Sequence, residues 1–229
     1  MFIWDYTWFF LIPPLILALY AQAKVRGAYG RYSRVAASTR ITGAEVAARL
    51  LSDAGVRDVP VEKVPGQLSD HYDPRKRVLR LSEGVYGSHS LAALGIAAHE
   101  TGHALQHHTG YAPLALRGVI YPLANIGSFL AFPLFLVGFF FSQKGPSLLM
   151  DLGILLYAGA VTFTVVTLPV EFNASKRALV LLRERGYLNG EEIMGARKVL
   201  SAAALTYVAS TAMAVMQLLR MIILRGSRD

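Results

Sequence analysis

Apolar residues along this chain fall into four long runs, separated by polar stretches that follow other periods. The runs lie at about Phe2–Ala21, Gly118–Phe141, Leu152–Val170 and Val199–Leu219. Each is near the roughly 20 residues that a helix needs to cross a hydrocarbon core. The last three hold no charged residue, whereas the first contains Asp5 and the Pro13-Pro14 pair and is the least regular. Between the first two runs, Thr42-Gly43-Ala44-Glu45 is a capping box that predicts a helix ending near Asp53-Ala54-Gly55. Asp58–Val64 predicts a short strand, and Gln67–Ser82 a hairpin turning at Tyr72-Asp73-Pro74-Arg75-Lys76. Ser90 then predicts an N-cap for a proline-free helix over Leu91–Leu105, with Gly110 and Pro113 as its stop.

The pattern predicts a mainly α-helical polytopic membrane protein of about four transmembrane helices, with a small α+β domain carrying the Leu91–Leu105 helix. The expected segments are an N-terminal transmembrane anchor over 1–22 and a cytoplasmic domain over 23–117. A transmembrane hairpin over 118–170, a cytoplasmic helix over 171–198 and a C-terminal transmembrane helix and tail over 199–229 follow. Composition agrees: 54% of the 229 residues are hydrophobic and mean hydropathy is +0.41, too apolar for an ordinary soluble domain. A cleaved signal peptide fits the N-terminus less well than a retained anchor. No Lys or Arg precedes the apolar run, and Ala21-Gln22-Ala23 is a weak small-residue site. The chain has no Cys, which excludes disulfide frameworks and thiolate metal sites.

Charge supplies the orientation. Of 23 Lys and Arg, 13 lie between Lys24 and Arg117 and six between Lys176 and Lys198. The positive-inside rule therefore predicts that both segments face the cytoplasm, with a short outer loop around Ser142-Gln143-Lys144-Gly145. Arg220, Arg225 and Arg228 then fall on the disfavoured side, which leaves the side of the C-terminus open. The net charge of +8 is dispersed, with no aromatic-interleaved groove, and points to anionic lipid rather than nucleic acid.

The candidate chemistry lies in His99-Glu100-Thr101-Gly102-His103. On a helix, HExxH sets two imidazoles one turn apart with a carboxylate between them. His99 and His103 can then ligate one Zn²⁺, and Glu100 can take a proton from a water that the ion activates. That is the equipment for metal-assisted amide hydrolysis. The plain alternative, ordinary histidines on a buried helix, leaves Glu100 at the correct offset unexplained.

Catalytic zinc normally has three protein ligands, so one remains to be found. A third histidine at metzincin spacing would fall at position 109, which is Thr109, and His107 lies two turns from His99, too far to share the metal. His107 and His108 read as a polar helix end near the C-terminal dipole. Glu171 directly follows a charge-free membrane run and is the one acidic residue between Asp151 and Glu184. A carboxylate there is costly without a partner. The plain alternative is an interfacial Glu capping a helix or pairing with Lys176, but a His₂Glu set is chemically ordinary for zinc hydrolases, and Glu171 is the candidate third ligand. His71, Tyr72 and Tyr111 are oxyanion candidates by chemistry only.

Thr42–Ala47, Leu68–Arg75, Ala97–Ala104 and Pro169–Ser175, taken together, resemble the YugP-like neutral zinc metallopeptidases of bacterial membranes, over nearly the whole chain. The resemblance implies a zincin-like domain in a multi-pass protein of the bacterial plasma membrane, with His99 and His103 as Zn²⁺ ligands and Glu100 as catalytic base. The chain is more loosely similar to the HtpX and CAAX prenyl protease group, which carries Glu-x-x-Ala-Asp after a membrane helix. That similarity also implies Glu171 as ligand. Where that group has Asp, this chain has Ser175, a weaker orienter, so Ser175 or Asn173 becomes the candidate support for a ligand histidine.

Glu171 begins one residue after the third run and His103 lies 15 residues before the second, which sets the expected metal site at the cytoplasmic membrane face. The function expected is a membrane zinc metalloendopeptidase cleaving membrane-associated proteins or peptides, with a membrane-protein partner or a second copy as further candidate partners. The alternative is a catalytically silent zinc-binding scaffold or regulator, which would have no use for Glu100. A metal transporter fits poorly, because the runs hold almost no ionisable residue.

Overall fold

A computed structural model describes residues 6–142, 145 and 147–227. Asp5, Gln143, Lys144 and Arg228, on which parts of the orientation argument fall, lie outside the described residues. A 3₁₀ turn at Tyr6–Leu11 leads into α1 (Ile12–Tyr32), and α2 covers Gly43–Asp53. Three strands follow, β1 (Val61–Val64), β2 (His71–Asp73) and β3 (Val78–Ser82), then a single turn of helix, α3 (Glu83–Tyr86). The long helices are α4 (Leu91–His108), α5 (Ala112–Phe141), α6 (Leu148–Glu184) and α7 (Glu191–Gly226).

By length and composition, four helical stretches can cross a membrane: Tyr6–Tyr32, Ala112–Phe141, Leu148–Glu184 and Glu191–Gly226. The architecture is that of a mainly helical polytopic membrane protein with a small α+β domain. Each stretch extends beyond its apolar run, because a run marks hydrocarbon and not helix. Pro13 and Pro14 sit in the first turn of α1, where N–H groups have no intrahelical partner in any case. The separate helix expected over 171–198 does not form. Residues 171–184 continue α6 through Pro169, and α7 begins at Glu191. The continuation has its own packing reason, since Val170, Glu171, Ala174, Ala178 and Leu182 recur at helical spacing and are all buried.

One compact unit comprises residues 22–114 and 169–205. Here Thr42 caps α2 with both halves of the capping box formed, and Ser90 caps α4 by accepting the Ala93 N–H. The sheet order is β1-β3-β2, with β1 parallel and β2 antiparallel to β3. Asp73 Oδ1 accepts the N–H groups of Arg75 and Lys76, which makes the turn between β2 and β3. Two apolar clusters clasp α4. Leu91, Leu94 and Ala98 join Val46, Leu50, Ala178, Leu182 and Leu200, while Ala93, Ala97, Ala104 and Leu105 join Leu51, Leu79, Leu81 and Val85.

The hairpin reading would make Arg77–Ser82 an exposed edge, but the structure puts β3 in the centre. Val78, Leu79, Leu81 and Ser82 are buried, and both flanks of the strand are hydrogen-bonded to neighbours. The edges are β1 and β2.

The other unit comprises residues within 1–21, 115–168 and 206–229. Its helices approach at backbone distance. A Cβ on Gly153 would stand 2.7 Å from the Ala131 carbonyl oxygen, and one on Gly127 3.0 Å from that of Leu156. Arg220 is buried, donates from Nε to Thr7 Oγ1 at 3.0 Å and lies 4.0 Å from the centroid of the Trp8 ring. Arg225 pairs with Asp151 at 2.6 Å. Arg220 and Arg225 thus have partners within the protein.

The central place of β3 has a measurable consequence. In hydrogen–deuterium exchange on the lipid-reconstituted protein, the amides of Val78–Ser82 are expected to exchange at least about tenfold more slowly than those of Val61–Val64 and His71–Asp73. Equal rates would put β3 at an edge.

Candidate metal centre

The candidate residues meet where α4 crosses α6. His99 and His103 lie one turn apart on α4, with their Nε2 atoms 3.2 Å from each other. Glu171, on α6, sets its Oε2 3.3 Å from His99 Nε2 and 3.4 Å from His103 Nε2. Among the described residues these three form the one group of His, Asp and Glu side chains able to hold a metal ion. The triangle tests the donor set directly. Ligands at about 2.0–2.1 Å from a tetrahedral Zn²⁺ are separated by about 3.3 Å, and all three edges agree with that. Two neutral imidazoles and one carboxylate are also the donor chemistry that zinc accepts. The Glu171 side chain is 3% exposed, a place where a carboxylate needs a cation.

Gly102 permits this crossing. A Cβ there would stand 2.7 Å from the Ala174 carbonyl oxygen and 3.1 Å from its Cα. The two x positions of the motif thus have jobs: Gly102 admits the α6 backbone, and Thr101, fully buried, satisfies its hydroxyl on the Ala97 carbonyl oxygen at 2.9 Å.

Beyond the triangle, Ser175 Oγ lies 3.1 Å from His99 Nδ1. Asn173 does not touch a histidine. Its Oδ1 accepts from Gln106 Nε2 at 3.0 Å and from Arg177 Nε at 2.8 Å. Gln106, fully buried, places Oε1 3.0 Å from His103 Nδ1 and donates from Nε2 to the Val170 carbonyl oxygen at 2.8 Å. Burial pulls the His103 imidazole down, but the hydrogen bond it donates to Glu171, the charges of Glu100 and Glu171 and the Gln106 contact outweigh it. Without a metal its pKa lies above the ordinary histidine value.

Beside the triangle, Glu100 reaches the sheet, where its Oε2 accepts the backbone N–H of Tyr72 on β2 at 3.0 Å. The Tyr72 hydroxyl is 2.7 Å from His107 Nδ1, so one residue ties the edge strand to α4 at two points. Burial pushes the Tyr72 phenol above its ordinary pKa, ahead of the opposing charge of Arg77. Of the oxyanion candidates, Tyr72 is engaged in this way, His71 Nδ1 lies 2.8 Å from the Ser69 carbonyl oxygen, and the Tyr111 ring faces the Arg177 guanidinium at 5.9 Å.

His99, His103 and Glu171 are therefore brought together, Ser175 joins them through His99, and Asn173 stands one residue further out. Sequence reasoning missed Gln106 and the Tyr72 amide. Gln106 had a signal, since it is an amide three residues after His103 inside an apolar helix and so shares that histidine's face. The Tyr72 contact had none, because it depends on how the sheet docks against α4.

Fold and site together define a helical membrane protein with a His-His-Glu group able to hold a metal ion. Residues 7–226 match the family model described as putative neutral zinc metallopeptidase, and the chain belongs to that family. It is 49% identical over 220 residues to a Bacillus subtilis (strain 168) protein described as "Putative membrane protease YugP", covering 95% of this chain and 96% of that one. No solved structure matches the chain.

The Gly102–Ala174 crossing gives a sharp expectation. Gly102→Ala must push the α6 backbone by several tenths of an ångström, carrying Glu171 and Ser175 with it. Zinc affinity, measured by chelator competition on the detergent-purified protein, is expected to fall about tenfold or more with helix content unchanged in circular dichroism. Unaltered affinity would show that the crossing does not set the donor triangle.

Proposed function

We propose that this protein is a membrane-integrated zinc metalloendopeptidase that cleaves membrane-associated proteins or their juxtamembrane segments. The observation that carries the reading is the donor triangle of His99, His103 and Glu171 with a carboxylate, Glu100, beside it on α4. A structural zinc site has no use for that carboxylate. Membership in a zinc metallopeptidase family and likeness to a protein described as a membrane protease support the same reading.

In this proposal His99 Nε2, His103 Nε2 and Glu171 Oε2 hold the zinc. When bound, the ion supplies the Lewis acidity that makes water attack on an amide carbonyl feasible near neutral pH. Glu100 takes the water's proton on a carboxylate oxygen and passes it to the nitrogen of the leaving amine. The Tyr72 N–H holds Glu100 Oε2 and fixes its rotamer, so the carboxylate is positioned before substrate arrives. Ser175 holds the His99 ring through Nδ1. The edge available for pairing with an extended peptide is β2, the strand already linked to Glu100, rather than β3.

The membrane location of the substrate follows from Glu171, which stands immediately after the apolar run ending at Val170. The Lys and Arg clustered in 24–117 and 176–198 support a cytoplasmic face, and likeness to a Bacillus subtilis protein described as a membrane protease supports the bacterial plasma membrane.

The test is a mass-spectrometric digest of a peptide library by the lipid-reconstituted protein. Glu100→Gln is expected to retain zinc and to lose cleavage about a hundredfold to ten-thousandfold. Glu171→Gln is expected to lose zinc itself, and with it all cleavage. Peptides tethered to the bilayer are expected to be cut faster than the same sequences free in solution; equal rates would remove the membrane-substrate part of the proposal. Zinc-loaded wild type that cuts nothing would remove the peptidase.

A further inference from the structure

The hydrogen bonds around Gln106 have a fixed direction that begins at Arg177. A guanidinium only donates, so Arg177 Nε, 2.8 Å from Asn173, must face a carboxamide oxygen, and that fixes the Asn173 amide with Oδ1 toward it. The same Oδ1 lies 3.0 Å from the Gln106 amide, and the other neighbour of that amide at 2.8 Å is the Val170 carbonyl oxygen, which only accepts. Two acceptors demand the two N–H bonds of Gln106 Nε2. Gln106 Oε1 is left toward His103 Nδ1 at 3.0 Å, and since it cannot donate, Nδ1 carries the proton. A neutral imidazole with its proton on Nδ1 has its lone pair on Nε2, the atom that faces Glu171 and His99.

We propose that Gln106 is a positioning residue that locks His103 in the Nδ1–H tautomer, with Nε2 ready for the metal, and that Asn173 acts on the site only by holding Gln106. The inference rests on the zinc-site reading above and gives Asn173 a role different from direct support of a histidine. Burial makes the relay stiff. Gln106 has no exposed surface, and turning its amide over would set oxygen against oxygen at Val170 and Asn173. The chain also explains why a polar side chain occupies this position between Leu105 and the end of α4.

The discriminating experiment is zinc affinity by chelator competition on the full-length protein in detergent, for wild type and three variants. Gln106→Met keeps length and loses the acceptor, and is expected to weaken zinc about 10- to 100-fold. Asn173→Asp keeps an acceptor for both Gln106 and Arg177 and is expected to stay within about threefold of wild type. Asn173→Leu removes the acceptor and is expected to weaken zinc about tenfold. A purely structural role for Asn173 would not separate Asp from Leu when their metal-free melting temperatures agree. If Gln106→Met does not fold, the Asn173 pair decides alone. Zinc affinity within threefold of wild type for Asn173→Leu, or Asp as damaging as Leu, overturns the relay. Wild type that binds no zinc overturns the parent reading with it, whereas tight zinc without cleavage overturns only the peptidase.

Discussion

The close approach of α4 and α6 at Gly102 and Ala174 is the constraint on which the rest of the candidate site depends. With hydrogen in place of a side chain at residue 102, the α6 backbone comes close enough to set Glu171 and Ser175 on opposite sides of the same histidine pair. Glu171 faces the Nε2 atoms and Ser175 faces Nδ1 of His99, four residues apart along α6 and so one turn apart in space. One helix thus provides both the carboxylate that closes the donor triangle and the hydroxyl behind one donor. The Gln106 contacts to Val170 and Asn173 lie along the same seam, so a single crossing supplies contacts to both imidazoles.

That crossing has to be rigid, and the packing of α4 provides it. Because the helix is buried against two apolar clusters, its small residues Ala93, Ala97, Ala98 and Ala104 act as contact surface rather than filler. Burial also means that every polar group on α4 near the site must find a partner. Thr101 uses the Ala97 carbonyl, Gln106 uses α6, and Glu100 uses the Tyr72 amide. Gln106 is thus tied to the candidate site through α6, while Thr101 is satisfied on its own helix and Glu100 on the sheet.

Much of this was legible in the sequence where a local rule decides. The capping box at Thr42 and the Ser90 cap depend on neighbours within a turn, and the structure forms both; the same short range puts His99 and His103 one turn apart on α4. Glu171 was legible for another reason: a lone carboxylate at the end of a charge-free run is expensive, and the cost points to a partner. The readings that failed needed information from across the chain. A hairpin pairs β3 only with β2 and so implies an edge, while its second partner, β1, joins in parallel from before the hairpin. In the structure Val78-Leu79-Arg80-Leu81-Ser82 is buried at four of five positions, a central strand's pattern that Arg80 and Ser82 obscure in the sequence. The helix break expected at residue 171 confused a change of solvent with a change of backbone.

Asn173 and Gln106 show how far such legibility extends. The looser family resemblance directs attention to the positions just after Glu171, and Asn173 is there, but the side chain that reaches His103 lies on α4 itself. Where zinc sites commonly orient a histidine with a carboxylate or a backbone carbonyl, both imidazoles here rest against neutral side chains, a hydroxyl and a carboxamide. A neutral group orients a ring without adding a negative charge beside it, so the one carboxylate of the candidate donor set is that of Glu171. On the proposed function, the departure from Asp to Ser175 leaves that carboxylate alone against the two rings while the His99 ring is still held through Nδ1.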